Sequence, residues 1–319
     1  MAHTDEQLNA YLSDAHSIEE QALAQLRSAP EIAGTPKLAA ALREHLPETE
    51  GHEQAVRALL ERRGGSPSRL KDAVMKLGGK GFMLFARANP DTPGKLAAHG
   101  YSYEALEQAS YALLGEIASA CADDEAVETA GRIEGEELAM KDRLADCFDE
   151  TVEASLQSGP DDVEEQLRKY LADAHALEEQ SSGLLERAAA RDGGELSDAY
   201  EEHLVETRDQ SEAIEERLRA LGGDPSGLKD TAMRLGAINW ATFFEAHPDT
   251  TGKRAAFAYA FEHLELGGYE QLLRVARHAG DEETARLATR IIEQERNVAE
   301  TLAGLFPEAA RVALAEATA

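Results

Sequence analysis

The stretch YLSDAHSIEEQ, residues 11–21, returns as YLADAHALEEQ at residues 170–180. GGSPSRLKDAVMKLGG, residues 64–79, likewise returns as GGDPSGLKDTAMRLGA at residues 222–237, with 10 of 16 positions identical. The first pair is 159 residues apart and the second 158, so a one-residue difference lies between the first and second helices of the repeat. A unit of about 155 residues is the size of one domain. The 319-residue chain is therefore predicted to contain two copies of one domain, residues 1–157 and 160–319.

Apolar residues within each half recur at spacings of three and four, which is typical of amphipathic helices. Four helices are predicted in the first half, with apolar stripes over Leu8–Leu26, Leu38–Leu60, Leu96–Ile117 and Val127–Phe148. The connection between the second and third helices is long and rich in Gly and Pro, with room for a short helix near Ser68–Leu77. This connectivity predicts an all-α fold of two tandem ferritin-like four-helix bundles, each with a long crossover that contains a short helix.

The composition excludes several classes of function. Lys and Arg number 32 against 61 Asp and Glu, and the net charge of −29 disfavours binding to nucleic acid or to anionic membranes. The two cysteines cannot form a disulfide framework or a four-cysteine zinc site. No apolar run is long enough to cross a membrane, and MAHTDEQLNA has no signal-peptide pattern. A cytoplasmic location is expected.

Several polar residues interrupt the apolar stripes and are predicted to face the bundle interior. In the first half they are Glu19 on helix 1, His45 and His52 with Glu48 beside them on helix 2, Glu104 and Glu107 on helix 3, and Glu137 on helix 4. The corresponding residues of the second half are Glu178, His203, Glu206, Gln210, Glu262, Glu265 and Glu295. Because His52 is matched by Gln210, the role of this position as a ligand can differ between the halves.

A carboxylate in a low-dielectric core costs several kcal/mol unless it is paired or neutralised. Lys and Arg are scarce on these stripes, which leaves protons or metal ions as the compensating charge. Fe²⁺ and Mn²⁺ accept mixed carboxylate and imidazole ligands, so the pattern predicts a metal site in each bundle, with all of these Glu and His residues as candidate ligands. The alternative is that His45 and His203 are core histidines bonded to carboxylates. The helix 3 tyrosines are interpreted as packing residues, with donation of a hydrogen bond or an electron near a metal as the alternative; they are Tyr101, Tyr111, Tyr259 and Tyr269.

DAHSIEEQ, EHLPETEGHEQ, YEALEQASY and EGEELAMKDRL resemble the helix 1 to helix 4 signatures of the YciE/YciF-type ferritin-like stress proteins. FEHLELGGY in the second half is similar to that family's Glu-His-x-Glu…Tyr stretch. The resemblance covers nearly the whole chain as two tandem copies. It implies a rubrerythrin- or ferritin-related bundle, an association with bacterial stress, dimerisation and a dinuclear metal site. Pairing of the two bundles within one chain would replace that dimer.

The chain departs from the full ferritin-like pattern in two places. The usual Glu-x-x-His of helix 2 is absent, since His45 precedes Glu48 by three residues and His52 follows it by four. Helix 4 has no His, and Met140 lies three residues after Glu137, where the Glu-x-x-His pattern has its histidine. Glu48 and Glu107 are then expected to bridge two metals, Glu19 and Glu137 to bind as terminal ligands, and His45 or His52 to supply the nitrogen.

The leading hypothesis is a di-iron, or manganese–iron, carboxylate protein that reacts with O₂ or peroxide. The chain has no CxxC pair for electron entry, so turnover would need an external reductant. The alternative hypothesis is a metal-poor helical bundle that acts as a structural or protein-interaction module. Further oligomerisation and the identity of catalytic residues are left open by the sequence.

Overall fold

The computed structural model describes residues 2–68, 92–159, 162–223 and 251–316. Within these ranges all regular structure is helical, and the helices fall into two repeated halves. The predicted all-α fold class is therefore confirmed. The crossover helix predicted near Ser68–Leu77 falls, apart from Ser68 itself, outside the described residues.

Both halves repeat the same order of helices. The first half contains α1 (Ala2–Leu26), a 3₁₀ turn (Ala29–Glu31), α2 (Pro36–Arg62), α3 (Thr92–Ala120), α4 (Asp124–Ala145) and α5 (Phe148–Ser158). The second half contains α6 (Val163–Ala189), α7 (Gly194–Ala220), α8 (Thr251–Ala279), α9 (Glu282–Gly304) and α10 (Phe306–Glu316).

Several helices begin at a side chain that accepts a hydrogen bond from a free backbone N–H. Thr35 caps α2 by accepting from the N–H of Leu38 at 3.3 Å. Asp123 and Asp281 cap α4 and α9 in the same way. Such caps satisfy donors that the first helical turn leaves unpaired, and each contributes about 1 kcal/mol.

The predicted fourth helix of the first half is wrong at its end. The stripe to Phe148 predicts one continuous helix, whereas α4 ends at Ala145 and α5 begins at Phe148. The N–H of Cys147 bonds to the carbonyl of Leu144 at 2.9 Å, so a single tight turn separates the two helices. Phe148 stays buried and makes an edge contact with Tyr101 at a ring distance of 5.5 Å.

The two halves pack against each other mainly through α3 and α8. The Ser102 hydroxyl on α3 donates to the carbonyl of Ala260 on α8 at 2.7 Å. Two ion pairs flank this contact at equivalent positions of the repeat, Lys253 with Asp14 at 2.7 Å and Lys95 with Asp173 at 3.8 Å. The short helices also contact the other half, since α5 packs against α8 and α10 packs against α3.

The apolar core runs across this contact, because one cluster of buried residues joins α1 and α3 of the first half to α8 and α10 of the second. Among the described helices, none combines the length and the apolar character that crossing a membrane requires.

Candidate metal centres

The inward polar residues of the first half come from four helices and converge in the bundle interior, which we call site 1. They are Glu19 on α1, His45 and His52 on α2, Glu104 and Glu107 on α3, and Glu137 on α4. None is more than 5% exposed. His45 and His52 are two helical turns apart and Glu104 and Glu107 nearly one, so each pair lies on one face of its helix.

Four residues of site 1 form the first of two groups, which we call group A: His45, Glu104, Glu107 and Glu137. One ligand atom from each lies within 4.8 Å of the others. His45 Nε2 is 3.2 Å from Glu104 Oε2 and 3.4 Å from Glu137 Oε2. Three carboxylates and one imidazole at this spacing are a donor set for a divalent cation such as Fe²⁺ or Mn²⁺.

The second group, group B, contains Glu19, His52 and again Glu137, with ligand atoms within 4.8 Å of one another. His52 Nδ1 is 2.7 Å from Glu137 Oε1 and 3.8 Å from Glu19 Oε1. Glu137 therefore belongs to both groups, with one oxygen towards His45 and the other towards His52. Site 1 offers two adjacent cation positions that share one carboxylate.

In each histidine of site 1, the ring nitrogen that faces away from the cluster contacts a further carboxylate. His45 Nδ1 is 2.9 Å from Glu48, which also accepts from Arg143 at 2.6 Å. His52 Nε2 is 2.7 Å from Glu136. A carboxylate on the second ring nitrogen fixes the orientation and tautomer of a histidine that binds metal through the first.

These placements differ from the bridging pattern that the sequence predicts. Glu48 lies on the opposite side of the His45 ring from group A, and its side chain is 39% exposed. Glu137, expected as a terminal ligand, is the carboxylate shared by both groups. Glu107, the other expected bridge, is buried and belongs to group A only.

The second half forms an equivalent site, site 2, around His203, Glu262, Glu265 and Glu295, all buried and with ligand atoms within 4.8 Å. His203 Nε2 is 2.9 Å from Glu262 and 3.6 Å from Glu295. Glu206 is 3.8 Å from His203 Nδ1 and largely outside, as Glu48 is in site 1.

The counterpart of group B in site 2 has a different chemistry. Glu178 is fully buried and accepts a hydrogen bond from the Tyr269 hydroxyl. Gln210, which replaces His52, donates its amide N–H to Glu295 Oε1 at 2.6 Å. The amide N–H of Gln210 thus contacts Glu295 Oε1, which corresponds to the oxygen of Glu137 that faces His52 in site 1.

The pKa values of site 1 diverge strongly. Burial and the charge of Glu137 raise the pKa of Glu19 to about 8, and burial raises that of Glu104 to about 7. Burial also opposes ionisation of Glu137, but contacts with His45 and His52 lower its pKa to about 2. Conversely, against the effect of burial, the nearby carboxylates raise the pKa of His45 to about 11 and of His52 to about 9.

In site 2, burial raises the pKa of Glu178 to about 8 and holds those of Glu265 and Glu295 well above their usual range. Repulsion from neighbouring carboxylates adds to this shift in each case. In both metal-free sites, raised carboxyl pKa values favour bound protons, and the neighbouring carboxylates raise the pKa of two histidines in site 1 and of one in site 2. Strongly shifted groups in a buried cluster are typical of functional sites.

The donor atoms of both sites fit a bound cation. Among the described residues, neither oxygen of Glu107 or Glu137 in site 1, nor of Glu262 in site 2, has a hydrogen bond of good geometry. Buried polar atoms without a partner cost about 1–3 kcal/mol each. A cation would satisfy them together, and the carboxylate and imidazole atoms are those that iron or manganese binds.

Two sets of side-chain contacts lie next to the sites. Tyr111, interpreted as a packing residue, also donates its hydroxyl to Glu19, as Tyr269 does to Glu178. His16 is bonded to Glu53 at 2.8 Å, beside site 1 rather than in it. The Glu104…Tyr111 spacing of two helical turns is a sequence signal for the tyrosine, because both then face the interior.

The fold and the sites define an all-helical protein whose two repeated halves each bury a carboxylate–histidine cluster able to hold a metal ion. A family model described as a domain of unknown function, DUF892, matches residues 3–157 and again residues 162–315. The chain therefore belongs to this family, in two tandem copies. It is also similar to a protein of known crystal structure from Xanthomonas campestris pv. campestris, at 29% identity and a TM-score of 0.37. That match covers 48% of this chain and 96% of the other.

Proposed function

We propose that the protein is an iron-binding carboxylate protein, with manganese as an alternative metal, whose sites react with O₂ or peroxide. The observation that supports this most directly is the convergence of buried carboxylates without hydrogen bonds beside a histidine in each half. Bound iron would supply the electrons for reduction of O₂ or peroxide.

The residues of the chain would perform the supporting tasks. Group A and its counterpart in site 2 bind the metal, and the surrounding core keeps water out of both sites. Glu48 and Glu136 orient the two histidines of site 1. Tyr111 and Tyr269 donate hydrogen bonds to Glu19 and Glu178, which favours the ionised carboxylate that a metal ion binds.

The biological setting is part of the proposal. The resemblance to YciE/YciF-type proteins supports a role in the bacterial stress response. The free cysteines Cys121 and Cys147 suit the reducing cytoplasm, where an external reductant would return the metal to its reduced state. The packing of α3 on α8 supports pairing of the two bundles within one chain.

The test is anaerobic loading with Fe²⁺, followed by air or peroxide. We expect at least two irons per chain, one for each site, and an absorbance change on oxidation. The double variant Glu107→Gln with Glu265→Gln should lose most of the iron, since each change removes a buried ligand. Glu116→Gln with Glu128→Gln removes two exposed carboxylates and is the matched control. Iron-free protein with unchanged melting would instead support the structural-module alternative.

A further inference from the structure

The two sites differ at one ligand position and at the residue behind it. His52 and Glu136 of site 1 correspond to Gln210 and Gln294 of site 2. We propose that the chain binds three divalent cations, two in site 1 and one in site 2, because Gln210 closes the second position. This inference rests on the proposed function and specifies how many metal ions each half takes.

Site 1 has the residues for two cations. Group A and group B meet only at Glu137, whose Oε2 faces His45 and whose Oε1 faces His52. Each position then has an imidazole of its own and at least one carboxylate of its own, and the shared carboxylate can bridge them. His52 is 1% exposed, and its Nδ1 has no hydrogen bond of good geometry to the described residues.

The residue behind His52 supports a ligand role. Glu136 accepts from His52 Nε2 at 2.7 Å and is held by Arg132, also at 2.7 Å. This leaves Nδ1 as the nitrogen that faces Glu19 and Glu137. Site 1 therefore contains the carboxylate–histidine arrangement of metal sites twice, once for His45 and once for His52.

In site 2 the amide of Gln210 occupies the equivalent place. Its N–H donates to Glu295 Oε1 at 2.6 Å, the oxygen that corresponds to the one facing His52 in site 1. An N–H group has no lone pair for a metal, so its contact with Glu295 blocks that side of the carboxylate. Only the group around His203 is left for a cation.

The amide nitrogen of Gln210 lies near two acceptors. Gln210 Nε2 lies 2.6 Å from Glu295 Oε1 and 3.4 Å from Gln294 Oε1. A rotated amide would direct its carbonyl oxygen at Glu295 Oε1, which brings two oxygens together unless a proton or a metal ion lies between them. The change at position 294 therefore accompanies the change at position 210, as expected for two residues that form one contact.

The experiment is a titration of the full chain with Co²⁺, followed by calorimetry and by visible absorption. We expect three Co²⁺ per chain for the natural sequence. His52→Gln with Glu136→Gln converts site 1 to the chemistry of site 2, and the count should fall to two. Gln210→His with Gln294→Glu makes the reverse conversion, and the count should rise to four. Gln54→His adds an exposed histidine to α2 and should leave three.

Anomalous diffraction from crystals of the natural protein soaked in Co²⁺ gives the positions without any variant. Two peaks in site 1 and one in site 2 are expected. Equal numbers of ions in the two sites would overturn the inference while leaving the proposed function intact. No bound ion in either site would contradict the proposed function itself.

Discussion

Glu137 and Glu295 occupy the same place in the two halves but have opposite electrostatics. Glu137 lies between two histidines, which lower its pKa to about 2 despite burial. Burial together with Glu265 and Glu262 holds the pKa of Glu295 well above its usual range. The replacement of His52 by Gln210 removes one of the positive charges that stabilise the carboxylate. One substitution at a ligand position therefore changes the charge around this carboxylate before any metal binds.

The largest expected effect comes from replacing the carboxyl group at each of these two positions in turn. In metal-free protein at neutral pH, Glu137→Gln removes the counter-charge of two buried histidines and should cost about 3–5 kcal/mol of unfolding free energy. Glu295→Gln replaces a protonated carboxyl by an amide of the same shape and should cost less than about 1 kcal/mol. Urea unfolding measures both, and equal losses would contradict the different charge states.

The stability of the metal-free chain is also expected to depend on pH, because both sites contain groups with shifted pKa values. Carboxyl groups with a raised folded pKa, such as Glu19 and Glu178, bind a proton more tightly in the folded chain. Their contribution to stability is full below pH 4.5 and is lost as the pH rises to about 8. The histidines act in the same direction above pH 6.5, because the pKa of His52 is raised to about 9.

We therefore expect metal-free protein to lose several kcal/mol of unfolding free energy between pH 5 and pH 8, since each pKa unit corresponds to about 1.4 kcal/mol. Divalent cation should reverse this, since it replaces the protons and is bound more tightly at high pH. Thermal melts with and without chelator measure the effect. A melting temperature of the chelated protein that rises over this interval would show that the buried carboxyl groups are not protonated.

The amphipathic stripes were sufficient to predict the helices and six buried residues of site 1, because a charge in register with an apolar stripe must face inward. They could not show the break after Ala145, since Met140, Leu144 and Phe148 keep helical spacing across it. They also could not assign Glu136, which is one residue off the stripe and 40% exposed. Its role depends on His52 of another helix, and that contact exists only in the folded bundle.

The contact between the halves contains a second asymmetry, centred on Lys141, which corresponds to Ala299. Lys141 is buried, and its Nζ lies 2.7 Å from Gln108 Oε1 and 3.1 Å from His263 Nε2. His263 donates from Nδ1 to the Tyr259 carbonyl, so its Nε2 accepts from the amine. Burial lowers the pKa of Lys141 to about 8, although the charge of Asp142 opposes the shift.

Lys141→Met should remove a pH dependence that the natural chain shows. Between about pH 8 and pH 10.5 the unfolded chain binds this proton more tightly than the folded one, so stability rises with pH. We expect the natural protein to gain about 1–2 kcal/mol over the variant between pH 8 and pH 10. Parallel unfolding curves at several pH values measure it, and a constant difference would mean that the amine is neutral throughout or fully solvated.

The smallest expected difference lies in the turns before α4 and α9. Gly280 has φ +69° and its counterpart Ala122 has φ +54°, a left-handed conformation that costs a residue with a Cβ about 1 kcal/mol. Gly280→Ala should therefore lower stability by about 1 kcal/mol. Ala122→Gly should change it by less, because relief of strain is offset by the greater freedom of glycine in the unfolded chain. A larger loss from Ala122→Gly than from Gly280→Ala, in the same urea series, would show that the two turns are not equivalent.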